Sequence, residues 1–257
     1  MTLATLSRNG SEDLVLFLHG LGCAKEKFAP LWDADELAAV SLLAPDLPGH
    51  GASQGLPPAA WSMEGMTAAV ADLLRDRKTA AAQAAARLHI VVHSLGGAVG
   101  LLLAEQSPVP LASFINVEGN LVGADCAMLS RRTAESDPKE FRDEKFAKLK
   151  ARARESDDPI VRDWAGWMAA CPADALHASA RSLVAWSDSG RLLEMFLRLE
   201  VPKAYVYGEH SANPDVLIHL DSVPQVGIAD AGHFIMIDQP AALASAIAEV
   251  IARTGAR

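Results

Sequence analysis

The chain is short of cysteine, of basic clusters and of long apolar runs, and each shortage removes a class of protein. Among its 257 residues only three are cysteines, Cys23, Cys126 and Cys171. They are far apart, odd in number and form no C-x-x-C, which argues against a disulfide framework and against a structural zinc site. Lys and Arg number 23 against 32 Asp and Glu, a formal balance of −9, and no group of basic residues stands outside a mixed-sign segment. That argues against nucleic acid or a membrane surface as a partner. No apolar run reaches the roughly 18 residues needed to cross a bilayer. The opening MTLATLSRNGSED has no basic segment followed by an apolar one, so a soluble, cytoplasmic protein is expected.

What is present is a chain half of whose residues are apolar, enough to bury one large core. Short apolar runs recur, each ended by turn residues: LVLFLHG, VSLLAPD, LHIVVHS, LASFINVEG, KAYVYGE and QVGIADAGH. Such unbroken runs suit parallel strands buried on both faces, because a half-exposed strand would alternate. Helical spacing lies between them, over 25–39, 62–77, 95–105 and 240–251. The chain is therefore expected to be α/β, a mostly parallel open sheet flanked by helices. In such sheets ligands bind beyond the carboxyl ends of the strands.

The rhythm breaks between Leu121 and Leu199, where the sequence turns charged and helix-prone, as in SDPKEFRDEKFAKLKARARESDD. Residues 121–199 are expected to form a helical cap inserted into a core made of 1–120 and 200–257. Its Trp164, Trp167 and Trp186, with Met168 and Met195, either pack the cap onto the core or line a pocket for substrate. The low-complexity stretch TAAAQAAAR at 79–87 is expected to be a helix end or an exposed loop.

The strongest local signal is LHIVVHSLGGAVG. An apolar run ends at His93-Ser94, and Leu95-Gly96-Gly97 opens a helix. A serine at a tight strand-to-helix turn is held strained with its hydroxyl above the sheet, which makes Ser94 a candidate nucleophile rather than a plain helix cap. Its base must be a histidine, because a neutral imidazole can take the serine proton and return it to a leaving group.

With this turn, with LFLHGLG near the start and with DAGHF near the end, the chain resembles the α/β-hydrolase family over most of its length outside the cap. It departs from the family pattern G-x-S-x-G at Val92, which stands at the first glycine and is expected to push strand and helix slightly apart. The resemblance implies His233 as base, in the loop after the final strand, ahead of the other loop histidines His210 and His219. It implies the backbone N–H groups of Leu21 and Leu95 as the oxyanion hole, with Gly20 and Gly22 letting the main chain approach a ligand. Cys23 either faces this pocket or is a buried, inert thiol. PDLPGHGAS matches a family stretch in which Asp46, Gly49, His50 and Gly51 shape a loop.

The triad acid is the open position. Many relatives supply it three residues after the glycine that ends the penultimate strand, and counting from Gly208 lands on Ser211, which cannot stay ionised. Glu209 comes too early, and Asp215 follows Asn213-Pro214 as at the start of a helix. In FINVEGNL, Glu118 stands at the carboxyl end of the run after the nucleophile's helix. Haloalkane-dehalogenase-like branches of the family take their acid from this strand, so the resemblance makes Glu118 the acid and Asp215 the alternative. Otherwise Glu118 is a strand-end carboxylate bound to backbone or to Arg131 or Arg132.

The expected activity is hydrolysis of a small to medium carboxylic ester or lactone through an acyl-enzyme. The Asp nucleophile of dehalogenases and epoxide hydrolases is absent, Leu95 replaces the dehalogenases' Trp, and both tyrosines, Tyr205 and Tyr207, lie on a core strand where epoxide hydrolases need cap tyrosines. Two alternatives stand beside it: a C–C bond hydrolase using cap arginines for a substrate carboxylate, and a non-catalytic ligand-binding homologue. No metal-ligand spacing appears and GHGASQG is not a phosphate loop, so no metal and no cofactor are expected. The expected partner is a small-molecule substrate, and a homodimer is compatible with this reading.

Overall fold

The computed structural model describes residues 2–76, 80–126 and 129–255. Seven strands form one sheet: β1 (Thr5–Arg8), β2 (Asp13–Leu18), β3 (Ser41–Pro45), β4 (Arg87–His93), β5 (Leu111–Val117), β6 (Lys203–Gly208) and β7 (Gln225–Ile228). Their order is β1-β3-β2-β4-β5-β6-β7. Only β1 runs antiparallel, against β3; all other pairs are parallel. The unbroken apolar runs follow from cover on both faces. Leu14, Leu16 and Leu18 join one core cluster while Val15 and Phe17 join the other, and β4 divides the same way between Ile90 and Val92 on one side and Val91 on the other.

Helices α1 (Met63–Arg75), α2 (Ala80–Ala84) and α3 (Gly96–Ala104) accompany the first half of the sheet. Ser62 caps α1 by accepting from the Gly65 N–H at 3.1 Å. Buried Met63, Met66, Val70, Leu73 and Leu74 form its core stripe at helical spacing. Between β5 and β6 lie α4 (Leu129–Glu135), α5 (Pro138–Glu140), a π-turn at Phe141–Lys145, α6 (Phe146–Arg154), α7 (Pro159–Met168), α8 (Ala173–Asp188) and α9 (Arg191–Arg198). The last part of the chain adds α10 (Pro214–Leu217), α11 (Ile235–Asp238) and α12 (Pro240–Ala252). No helix among the described residues is long and apolar enough to cross a membrane.

The helices between β5 and β6 are fastened to the rest by specific hydrogen bonds. Ser179 Oγ donates to the Trp61 carbonyl at 3.0 Å, the Met63 N–H donates to Ser182 Oγ at 3.0 Å, and Trp186 Nε1 donates to Glu64 Oε1 at 2.7 Å. These bonds run from α8 to the start of α1, so the inserted helices are held at the edge of the α1 layer.

Three sequence expectations are corrected. The antiparallel edge strand TLSR was not anticipated, because four mostly polar residues carry no strand pattern of their own and gain their order from pairing with β3. The helix expected over 25–39 is two 3₁₀ turns, Lys25–Leu31 and Asp35–Leu37, with Pro30 inside the first, where its missing N–H breaks a longer helical ladder. In the low-complexity stretch, Ala80–Ala84 form a short helix, in line with the helical alternative, with Ala81 and Ala82 buried and Gln83 and Ala84 exposed. Arg77 and Thr79, expected at a helix end and at the start of that stretch, lie outside the described residues. Finally, Val92 does not need strand and helix to spread. A Cβ on Gly100 would collide with Val92 Cγ1, so the bare glycine one turn into α3 makes the room that the branched side chain requires.

Candidate active site

Three loops meet above the carboxyl ends of β2, β4 and β5. Ser94 follows β4 at φ 53°, in the left-handed region that non-glycine residues seldom adopt, and α3 starts two residues later. The turn is braced from two sides, because the Ser94 carbonyl accepts from the Gly97 N–H at 2.8 Å and from the Asn120 N–H at 3.0 Å. The second of these bonds ties the serine turn to the segment that follows β5.

The His19–Gly22 loop lies directly against the serine. A Cβ on Gly20 would sit 2.9 Å from Ser94 Cβ and 3.3 Å from its Oγ, so only a glycine allows this approach. Leu21 and Leu95 are buried side chains, and neither backbone N–H has a hydrogen-bond partner among the described residues. Unpaired amides in buried backbone are uncommon, and these two belong to the residue after Ser94 and to the residue after Gly20, which packs against it. His19 itself is structural: it is fully buried, its Nε2 accepts from the Leu47 N–H at 2.9 Å, and burial holds its pKa well below the usual imidazole value.

The imidazole of His233 reaches the end of β5. Its Nδ1–H donates to Glu118 Oε2 at 2.6 Å, which leaves Nε2 as the basic nitrogen. Glu118 is the second residue in this region held at positive φ, 46°, and its carboxylate is only 9% exposed while His233 is 44% exposed. The other carboxylate oxygen, Oε1, accepts from the Gly208 N–H at 2.8 Å and from Ser211 Oγ at 2.5 Å. Three donors therefore converge on one carboxylate, a set suited to an ionised, acceptor-only group. The buried carboxylate and the exposed ring form a pair that is fixed on the protein side and open on the solvent side.

Behind this layer sits a second one that sequence reasoning missed. Fully buried His93 donates from Nε2 to the His233 carbonyl at 2.8 Å, and its Nδ1 is in contact with the Nζ of Lys27. Burial, then the neighbouring ammonium, hold the His93 pKa well below the usual imidazole value, so the ring is neutral. Asp125, close to the pair, accepts from the Leu121 and Val122 N–H groups at 2.7 and 2.9 Å, and burial pushes its pKa up to about 6. Ser211 stands in the sequence where many relatives place an acid, and nothing in the sequence signals that its hydroxyl binds the Glu118 carboxylate of another strand. The only hint of Lys27 was its place four residues from Cys23 and from Leu31, on what becomes a buried face.

The remaining candidates divide. Trp164, on α7, donates from Nε1 to the Leu21 carbonyl at 3.1 Å, so it braces the His19–Gly22 loop. Trp167 is half-buried on the same helix; its carbonyl accepts from the Ala170 N–H at 3.2 Å, and its indole has no hydrogen bond or ring contact among the described residues. Trp186 is engaged by Glu64 and lies 4.5 Å from the Arg191 guanidinium, and no contact brings it to Ser94, His233 or Glu118. Asp215 is exposed at the start of α10, where its N–H donates to Asn213 Oδ1 at 3.1 Å; no contact joins it to His233. Glu209, His210 and His219 are exposed. Arg131 pairs with Asp188 at 2.6 Å and not with Glu118. Asp46 is buried and accepts from the Lys25 and Ala52 N–H groups, both at 2.8 Å, which organises the PDLPGHG loop. Cys23 is 2% exposed with its thiol pKa raised by burial, and all three cysteines are buried and free. Among the described residues no group of three or more His, Cys, Asp or Glu side chains is placed to hold a metal ion.

Comparison with known proteins agrees with this architecture. A model of the alpha/beta hydrolase family matches residues 15–246. A putative carbamate hydrolase, RutD, of Pantoea ananatis (strain LMG 20103) is 34% identical over 116 residues, which is 44% of this chain and 38% of the relative, so the match spans well under half of that curated protein. Among solved structures, a thermophilic esterase from Thermogutta terrifontis superimposes with a TM-score of 0.76 at 23% identity, covering 98% of this chain and 93% of the esterase. MenH from S. aureus gives 0.78 at 14% identity over 99% and 100% of the two chains. The enol-lactonase from Burkholderia xenovorans LB400 gives 0.73 at 17% identity, with 96% of each chain covered.

Proposed function

The chain belongs to the alpha/beta hydrolase family, and from that premise we propose that it is a serine hydrolase cleaving a small to medium carboxylic ester or lactone through an acyl-enzyme. The reading is carried by one observation: the 2.6 Å bond between His233 Nδ1 and Glu118, formed across 115 residues of chain, at the end of the strand next to the one that carries Ser94 at positive φ. A bond at that nitrogen fixes the tautomer whose Nε2 can act as a base, and a buried carboxylate stabilises the imidazolium that forms.

In the proposed reaction Ser94 Oγ attacks the substrate carbonyl as His233 Nε2 takes its proton. The Leu21 and Leu95 N–H groups hold the tetrahedral oxyanion. Collapse breaks the ester C–O bond, and His233 returns the proton to the departing alkoxide. Water, deprotonated by His233, then attacks the acyl-enzyme; the bond to Ser94 Oγ breaks, His233 returns its proton to that oxygen, and the carboxylic acid is released. With a lactone the alcohol stays tethered, and the product is one hydroxy acid. An esterase and a lactonase of the same fold make these two substrate classes the first to test. A C–C hydrolase would want a cation for its substrate carboxylate from the arginines between β5 and β6, of which Arg131 is taken up by Asp188 and by the Gly123 carbonyl.

The test is turnover of a panel of p-nitrophenyl esters and of short lactones by the wild type and by Ser94→Ala. The wild type is expected to turn over at least one substrate, and Ser94→Ala to lose at least about 10⁴ of its kcat. Mass spectrometry should find a fluorophosphonate probe on Ser94. No turnover across the panel together with no labelling would leave a ligand-binding homologue as the better reading.

A further inference from the structure

Lys27 is a charge that the proposed chemistry leaves unused. Its side chain has no exposed surface, and no carboxylate is among its partners in the described structure. Nζ lies 3.8 Å from Cys23 Sγ, touches His93 Nδ1, and stands 5.3 and 5.2 Å from the ring centres of Phe28 and Phe234. Burying an ammonium without a counter-ion is costly, and a methionine of similar length would fill the same space without that cost. The location shows what the charge can do. His93 directly precedes Ser94, Phe234 directly follows His233, and the His93 and His233 rings are 4.4 Å apart.

We propose that Lys27 is a positioning residue that locks the serine turn to the histidine loop by holding His93 from its Nδ1 side in the tautomer and orientation that bond the His233 carbonyl. The inference rests on the serine-hydrolase reading. An ammonium only donates, so the His93 nitrogen facing it must carry a lone pair and the proton must sit on Nε2. That proton makes the 2.8 Å bond to the His233 carbonyl. The carbonyl only accepts and so asks for the same tautomer; the ammonium, on the opposite nitrogen, excludes the other one and holds the ring from its far side. The other titratable groups around Lys27 are Cys23 on its own loop and His19 at the end of β2, whose pKa also feels the ammonium; on the remaining sides stand the Phe28 and Phe234 rings.

Burial pulls the Lys27 pKa down to about 8, so the side chain is charged at neutral pH. In the unfolded chain it holds its proton up to the usual lysine range. Between these values the unfolded state binds more protons, so the Lys27 contribution to stability rises with pH through that window and is at its least favourable below it. Removing the charge at pH 7 should therefore not lower the melting temperature.

The experiment compares wild type, Lys27→Met and Ser94→Ala. Lys27→Met is expected to lose about 10- to 100-fold in kcat with KM within about twofold, because a small displacement of the base is felt in the chemical step while Lys27 touches no substrate. Its melting temperature at pH 7 should equal or exceed that of the wild type. An unchanged kcat, or a lost kcat with a lowered melting temperature, overturns the inference. A Ser94→Ala protein that keeps its activity sinks the serine reading instead. Nitrogen-15 spectra of the wild type supply an arm that needs neither variant nor turnover: His93 should be the Nε2–H tautomer at pH 7, and an Nδ1–H tautomer would contradict the assignment.

Discussion

The ends of β5 and β6 reach the same carboxylate from two directions, and only one of them brings the charge. At the end of β5, Glu118 holds His233 with one oxygen. Beyond the end of β6, Ser211 stands three residues after Gly208, and its hydroxyl donates to the other oxygen at 2.5 Å. The difference teaches that an imidazole needs its carboxylate at a place in space and not at a place in the chain. A serine after β6 is then complementary to a glutamate after β5, filling with a donor the spot from which a carboxylate would otherwise reach.

The largest effect that would sharpen this comparison is an exchange of acids. Glu118→Ala should lower kcat/KM by about 10⁴, as removal of a triad acid does elsewhere. Adding Ser211→Asp in the same chain should recover at least about tenfold, since the new carboxylate starts from a position already in contact with the Glu118 head group. A double variant as inactive as Glu118→Ala alone would break the claim that the two strand ends serve one spot. A smaller effect follows from Ser211→Ala, which leaves Oε1 with the Gly208 N–H alone. Loss of one hydrogen bond to a charged group predicts a fall of about 3- to 10-fold in kcat/KM, read on the same ester. No change would mean that the Gly208 amide holds the carboxylate unaided.

Six of the seven strands were legible because β2 to β6 are largely apolar runs and β7 is a short one that ends at Ile228, and these runs carry their own punctuation in HG, PD, HS, EG, GE and the residues after Ile228. TLSR was not, since an edge strand borrows its order from its neighbour. The Lys25–Leu31 segment has helical spacing, but Pro30 and the packing of its Phe28 and Leu31 under the sheet leave it as a 3₁₀ turn. At the site, Ser94, His19–Gly22 and Glu118 could be found because each sits just past a strand end, where chain order predicts position. What escaped were long-range meetings: Gly100 accommodating Val92, Ser211 meeting Glu118, and Lys27 meeting His93 across 66 residues. Lys27 in particular reads in KEKF as one more surface charge, because lysine is seldom buried without a partner. Trp164 and Trp186 looked alike in the sequence, yet one braces the Leu21 loop and the other bonds to Glu64 on α1.

The central claim is that the acid of this site stands at the end of β5. Its most direct test is kcat/KM for one ester with Glu118→Gln and with Asp215→Asn, two changes that remove a charge and almost no volume. The geometry predicts a fall of about 10³ to 10⁴ for Glu118→Gln and a value within about twofold of the wild type for Asp215→Asn. A crippled Asp215→Asn beside an active Glu118→Gln would contradict it and return the acid to the segment after β6.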